Sequence, residues 1–196
     1  MEKIERLVSR AIPIPIENID TDQIIPARFL KNSKRKNFGL NLFRDWRYTN
    51  NGHLKENFIL NNSKYSGKIL LVGRNFGSGS SREHAAWALF DYGFRVVISS
   101  FFADIFKENA LNNGLLPVEI SEVFLKKLFK TISYKRHILF SVSLERQIIK
   151  IEKSFFYDYF YMEKYKKTCL LKGQDDIDFL ISLKYKIKTF EEKIHS

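Results

Sequence analysis

Apolar and polar positions alternate in blocks along the middle of the chain, and these blocks predict alternating strands and helices. Three short apolar runs are typical of buried strands: residues 68–73, 95–100 and 115–120. Between them, residues 81–92 and 102–113 carry apolar side chains at helical spacing, and a glycine follows each segment. Because parallel strands need a helix-length connection, the alternation predicts an α/β fold with a parallel sheet and right-handed crossovers.

The two ends of the chain carry other patterns. Residues 7–16 are a β-type run that prolines interrupt, and residues 137–144 and 147–152 alternate as in an antiparallel hairpin. The hairpin predicts a second, smaller sheet. Further helices are expected at about residues 121–132, 156–172 and 175–188.

Residues 31–66 differ from the rest because they are rich in Asn, Lys, Gly and aromatic residues without a sustained period. This predicts a long, partly ordered excursion of the kind that often covers a site. No repeat, low-complexity segment or linker divides the chain, and 196 residues with 44% hydrophobic content suffice for one core. We therefore expect a single domain over residues 1–196, closed by C-terminal helices within residues 156–196.

Composition and charge narrow the class of protein. No apolar stretch approaches the roughly 18 residues of a membrane span, and the first residues lack the apolar core of a secretion signal, so a cytoplasmic protein is expected. A net charge of +11 would suit nucleic-acid binding, but Lys and Arg are spread along the chain without a basic helix or zinc-knuckle spacing. We therefore expect neither nucleic acid nor a membrane as partner.

The candidate chemistry lies between the first predicted strand and helix, where residues 77–84 read Gly-Ser-Gly-Ser-Ser-Arg-Glu-His. A loop at the carboxyl end of a parallel strand faces the ligand crevice, and the following helix offers unpaired N–H groups. The glycines let the backbone approach a ligand, while Ser80, Ser81 and Arg82 offer hydroxyls and a guanidinium suited to a carboxylate. The loop predicts a site for a carboxylic acid or a phosphate.

Other interpretations of this loop can be tested on spacing. A dinucleotide fingerprint requires a small residue where Arg82 stands, and the phosphate loop of NTPases requires a lysine that the segment lacks. A serine hydrolase that uses His84 and Asp91 stays open, because spacing does not fix their geometry. A purely structural capping box also stays open, since Ser80 and Glu83 stand three residues apart before an amphipathic helix.

Residues 77–84 resemble the serine loop of the aconitase superfamily, whose swivelling domain carries a Gly-x-Gly-Ser-Ser-Arg-Glu-His run. The similarity covers most of the chain, with further motifs at residues 18–26, 38–47, 88–93, 102–106, 113–117 and 169–175. The second of these motifs, with its Asp-Trp-Arg, is similar to the longer bacterial small subunits of 3-isopropylmalate dehydratases. The resemblance implies a swivelling β/β/α domain with a mainly parallel sheet flanked by helices and a smaller second sheet.

The resemblance also implies an activity, that of a hydro-lyase interconverting 2-isopropylmalate and 3-isopropylmalate by dehydration and rehydration in leucine biosynthesis. Carried over by position, Ser80 would be the base that removes a proton from carbon. Ser81 and Arg82 would bind the substrate, and Asp22 would lie near the site. Arg35 is a further carboxylate-binding candidate. A small subunit that serves homoaconitate or citramalate-type substrates is the alternative.

The family's chemistry uses a [4Fe–4S] cluster, which needs about three or four thiolate ligands from protein. Cys169 is the only cysteine of this sequence. It falls in a predicted helix, where a buried packing role is expected. The resemblance therefore implies no cofactor on this chain, a cluster on a large subunit, and activity only when the two subunits combine.

Overall fold

The computed structural model describes residues 2–30 and 37–194, and a parallel sheet forms its centre. The strands pair in the order β2 (Ala11–Ile14), β3 (Ile69–Val72), β4 (Val96–Ser99) and β5 (Leu116–Glu119). Every residue of β3 and β4 is buried, as expected for parallel strands covered on both faces. The three strands predicted from apolar runs and the α/β class are confirmed.

Three helices follow β3, β4 and β5 in the predicted alternation: α3 (Glu83–Tyr92), α4 (Asp104–Asn112) and α5 (Glu122–Tyr134). Helix α3 ends at Gly93, whose φ of 115° is a left-handed conformation that glycine adopts without a steric penalty. Ser121 begins α5, because its hydroxyl accepts a hydrogen bond from the backbone N–H of Phe124 at 3.3 Å.

The parallel sheet separates two hydrophobic cores, because successive side chains of a strand point to opposite faces. Leu70 and Val97 point to one face and pack against α3 and α4. Leu71 and Ile98 point to the other face and pack against α5 and a second sheet. The molecule is therefore layered as two sheets and a group of helices, which confirms the expected β/β/α arrangement.

The second sheet is antiparallel, and its strands lie in the order β1 (Arg6–Ser9), β6 (Phe140–Ser143), β7 (Ile148–Ile151) and β8 (Tyr157–Tyr159). The predicted hairpin is confirmed as β6 and β7. The β-type run expected over residues 7–16 is confirmed as β structure, but it forms two strands, since β1 and β2 belong to different sheets. The chain changes sheet at Arg10, where Gly67 passes so close that a Cβ on it would lie 2.1 Å from the Arg10 carbonyl oxygen.

The C-terminal helices differ from their predicted bounds. The helix expected over residues 156–172 begins only at Lys164, because the aromatic residues before it form β8 against β7. The helices are α6 (Lys164–Lys172), α7 (Asp176–Ser182) and α8 (Lys184–Ile194), so the segment expected over residues 175–188 is two helices. Cys169 is buried in α6, as expected. Among the described residues, no helix is long and apolar enough to cross a bilayer.

The described part of the excursion, residues 37–66, contains short helices that periodicity did not indicate: two 3-10 turns, Phe38–Asn41 and Ile59–Asn61, and α2 (Arg44–Arg47). Arg47 is 8% exposed and donates hydrogen bonds to the carbonyl oxygens of Gly39 at 3.2 Å and Leu42 at 3.3 Å. Its guanidinium also binds the side chain of Asn61 and lies 4.9 Å from the ring centre of Tyr92 in α3. One buried cation therefore fastens the excursion to the helix that follows the candidate loop.

We expect Arg47→Lys to lower the free energy of unfolding by about 1–3 kcal/mol, because an ammonium cannot satisfy three separated acceptors and leaves buried carbonyl oxygens unpaired. Urea unfolding followed by tryptophan fluorescence measures the change. Arg146→Lys, at an exposed position, is the matched control and should stay within about 0.5 kcal/mol of the parent. Equal losses in the two variants would contradict the role given to Arg47.

Candidate active site

The loop between β3 and α3, residues 73–82, is here called the serine loop, and backbone pairing fixes its course. Ser78 forms a parallel bridge with Asp20, which follows β2, and Phe76 forms another with Phe102, which follows β4. The Gly77 N–H donates to the Ile19 carbonyl at 2.7 Å. The segments leaving three neighbouring strands are thus joined at the carboxyl edge of the sheet, where parallel α/β sheets bind ligands.

Two glycines make this course possible for different reasons. Gly77 has a φ of 80° and lies against α4, so that a Cβ on it would come within 2.3 Å of the Phe106 ring. Gly79 has a φ of 90°, but the nearest atoms to a Cβ there would be 3.6 Å away. Gly77 is therefore required both by conformation and by space, and Gly79 by conformation alone.

The Ser80 side chain is exposed at the mouth of a cavity of about 210 Å³. Thr21, the first residue of α1 (Thr21–Ile24), is 3% exposed and lies behind it. The Thr21 hydroxyl donates to the Ser80 carbonyl oxygen at 2.9 Å, and the two hydroxyl oxygens are 3.5 Å apart. Buried Thr21 thus holds the backbone of Ser80 in place, and Ser80 lines the cavity.

Arg82 lines the same cavity and forms an ion pair with Asp22. The Arg82 side chain is 17% exposed, and its Nη1 also donates to the Ile25 carbonyl at 3.2 Å. Within the described residues both hydrogen bonds come from Nη1, and no acceptor is bonded to the other guanidinium donors of Arg82. The hydrogen bond from Arg82 is the largest cause that lowers the pKa of Asp22 below its usual value. A hydrogen bond from the Ala27 N–H at 2.9 Å lowers this pKa further.

Neither α3 nor α4 has a side-chain cap at its start, and Asp104 already places a negative charge at the start of α4. Arg82 is the N-cap of α3 and Ala103 that of α4, and neither side chain caps its helix. The capping box considered for Ser80 and Glu83 is not formed. The Glu83 carboxylate instead accepts hydrogen bonds from Asn113 at 2.8 Å and Trp87 at 3.2 Å. Because helix N-termini attract negative charge, the loop is suited to bind an anion.

The serine hydrolase interpretation does not match this geometry. The His84 ring packs between Phe38 and Trp87, with ring centres 5.2 Å and 4.5 Å away. Asp91 accepts a hydrogen bond from the Gly39 N–H at 2.8 Å, and it lies seven residues further along α3, about 10 Å along the helix axis. A relay from Ser80 through His84 to Asp91 is therefore not assembled.

The donors needed for an iron–sulfur cluster do not occur together. Over the described residues, no three His, Cys, Asp or Glu side chains are grouped so that they could bind a metal ion. The single cysteine of the sequence, Cys169, is buried in α6, where burial raises the pKa of its thiol. A cluster therefore does not fit this chain.

The structure brings together most of the residues that the sequence indicated. Ser80 and Arg82 line one cavity, Asp22 is paired with Arg82, and Ser81 is exposed beside them at the start of α3. Arg35 lies outside the described residues. Thr21 and the start of α4 were not predicted as parts of the site, but Thr21 also lines the cavity, together with Ala103, Asp104, Ile105, Phe106 and Asn109. The Asp-Thr-Asp motif at residues 20–22 carried the signal for Thr21.

Fold and loop together define the class of protein, a swivelling domain of the aconitase type. Residues 1–123 match the family described as the aconitase C-terminal domain.

Comparison of whole chains narrows this class. The 3-isopropylmalate dehydratase small subunit of Karelsulcia muelleri is 57% identical over 193 residues, covering 98% of each chain. That of Christiangramia forsetii is 58% identical over 193 residues, covering 98% of this chain and 94% of the relative. The crystal structure of 3-isopropylmalate dehydratase from Methanocaldococcus jannaschii superposes with a TM-score of 0.65 at 26% identity, covering 96% and 98% of the two chains. The chain belongs to the family of 3-isopropylmalate dehydratase small subunits.

We expect Gly77→Ala and Gly79→Ala to differ in stability, since the first adds a clash to the conformational cost that both share. Gly79→Ala should lower the free energy of unfolding by about 1–2 kcal/mol, the cost of a left-handed conformation. Gly77→Ala should lose about 1–3 kcal/mol more, because its methyl group overlaps the Phe106 ring. Urea denaturation of both variants measures the difference, and equal losses would contradict the packing of the serine loop on α4.

Proposed function

We propose that this chain is the small subunit of a 3-isopropylmalate dehydratase, and that it supplies the acid–base half of the active site. The enzyme interconverts 2-isopropylmalate and 3-isopropylmalate by eliminating and re-adding water. One observation carries the proposal: Ser80, held by buried Thr21, and Arg82, held by Asp22, line one cavity at the carboxyl edge of the sheet.

In this proposal the Ser80 hydroxyl oxygen, as an alkoxide, takes the proton from the substrate carbon. The electron pair of the broken C–H bond forms the carbon–carbon double bond, and the hydroxyl group leaves the neighbouring carbon with its bonding pair, as hydroxide, which a Lewis acid on the large subunit would accept. Rehydration reverses these steps. An alkoxide is a strong base in water, so it needs stabilisation, which the uncapped N–H groups of α3 and the Arg82 guanidinium can supply.

Substrate binding follows from the same geometry. The free donors of Arg82 match a carboxylate in a bidentate arrangement, and the Ser81 hydroxyl is exposed beside it. Asp22 has the role of orienting Arg82, since its carboxylate is occupied by the guanidinium and by the Ala27 N–H. Arg35 keeps its proposed role as a second carboxylate-binding residue on the strength of the sequence resemblance alone.

The rest of the site is assigned to a partner. We place the [4Fe–4S] cluster implied by the family on a large subunit, because such a cluster needs about three or four thiolates and this sequence contains one cysteine. The assembly is proposed to work in the cytoplasm, and residues 1–196 to form one domain of it. Citramalate and homoaconitate are the alternative substrates to compare with 2-isopropylmalate, because the serine loop would bind a carboxylate of any of these acids.

We expect Ser80→Ala to lower turnover of 2-isopropylmalate by the reconstituted pair by about 10²–10⁴-fold, the range for loss of a general base. Assembly with the large subunit should persist, since the removed hydroxyl is exposed and Thr21 still binds the unchanged backbone of residue 80. Steady-state kinetics and gel filtration of the mixture measure the two effects.

Ser78→Ala is the matched control, because Ser78 belongs to the same loop and contributes backbone bonds to its pairing. Its turnover should stay within a few-fold of the parent. Near-normal turnover by Ser80→Ala would remove Ser80 from the role of base.

A further inference from the structure

Ile105 is the most exposed apolar residue of the cavity that holds Ser80 and Arg82, with 51% of its surface accessible. It stands in the first turn of α4, directly before Phe106, which is buried against Gly77. Successive residues of a helix point about 100° apart, so Ile105 is turned away from the core while its neighbour fills it.

Single exposed apolar residues are common on protein surfaces, so exposure by itself indicates nothing. The side chains that surround Ile105 in the cavity distinguish it from other exposed apolar residues. The other fully exposed side chains of this cavity are polar, the hydroxyl of Ser80 and the carboxylate of Asp104, while Arg82, Ala103 and Asn109 are partly exposed. A branched apolar side chain beside an anion-binding loop matches a ligand that is charged at one end and branched and apolar at the other.

We propose that Ile105 is a specificity-determining residue, which contacts the branched alkyl group of the substrate and sets the preference for isopropyl over methyl. This inference rests on the proposed function. The carboxylate is directed to Arg82 and the start of α3, away from the like charge of Asp104. The alkyl branch then lies toward Ile105, where contact removes apolar surface of both partners from water.

The test uses the complete enzyme, this chain combined with the large subunit, and compares 2-isopropylmalate with citramalate, which carries methyl in place of isopropyl. Ile105→Ala should lower kcat/KM for 2-isopropylmalate by about tenfold or more, the usual effect of lost methylenes in an apolar pocket. Citramalate should change less than about twofold, because its methyl group is too short to use the lost contact. If citramalate turns over slowly, its inhibition constant replaces kcat/KM.

Val123→Ala is the matched control, since Val123 is 81% exposed and lies on α5, outside the cavity. It should leave both substrates unchanged. Gel filtration of each variant with the large subunit follows assembly separately.

The outcomes separate the two proposals. A parent enzyme that does not convert 2-isopropylmalate would overturn the proposed function. A parent that converts it, together with an Ile105→Ala variant that is unchanged or equally impaired on both substrates, would overturn the role of Ile105 alone. Weakened assembly with no change in substrate preference would also overturn it, and would make Ile105 part of the subunit interface.

Discussion

Backbone pairing at the carboxyl edge of the parallel sheet is the constraint on which the site depends. The serine loop bonds on one side to the segment after β2 and on the other to the segment after β4. Gly77 must be a glycine for the loop to fit between Ile19 and Phe106. Because these bonds are made by main-chain atoms, they hold Ser80 and Arg82 in place without using the side chains that face the cavity.

Two local pairs then prepare the loop for chemistry. Thr21 is buried and fixes the backbone of Ser80, and Asp22 fixes the guanidinium of Arg82 through a carboxylate whose pKa is lowered by that same contact. Groups held before a ligand arrives need little reorganisation when charge develops, which is the general basis of electrostatic catalysis. The arrangement explains how a serine hydroxyl could serve as a base in the proposed reaction, and a cluster would have to come from a partner, since this sequence contains one cysteine.

Much of the fold could be predicted because its signals are local. Short apolar runs predicted β3, β4 and β5, helical spacing followed by a glycine predicted α3 and α4, and alternation predicted the hairpin of β6 and β7. Strand β8 was missed because it is defined by its pairing with β7. The sequence pattern of its aromatic residues does not distinguish it from the helix that follows. The short helices inside the excursion were missed because Arg47 organises them through hydrogen bonds to scattered carbonyl oxygens, which leave no repeat in the sequence.

As with the fold, only those parts of the site that have a local signal in the sequence could be predicted. Ser80 and Arg82 stand in one contiguous motif, whereas Thr21 and Ile105 reach the cavity from other segments, through strand order and helix packing. Residues from distant segments come together only through the order of the strands and the packing of the helices. The sequence could indicate the chemistry of the loop, but not which side chains close around it.

The most direct test of the account is an assay of 2-isopropylmalate conversion by this chain alone, by a cluster-bearing large subunit alone, and by the two together, with iron measured in each sample. We expect conversion only in the mixture and no stoichiometric iron in this chain. Conversion by this chain alone, or stoichiometric iron bound to it, would contradict the proposal that the serine loop is one half of a shared active site.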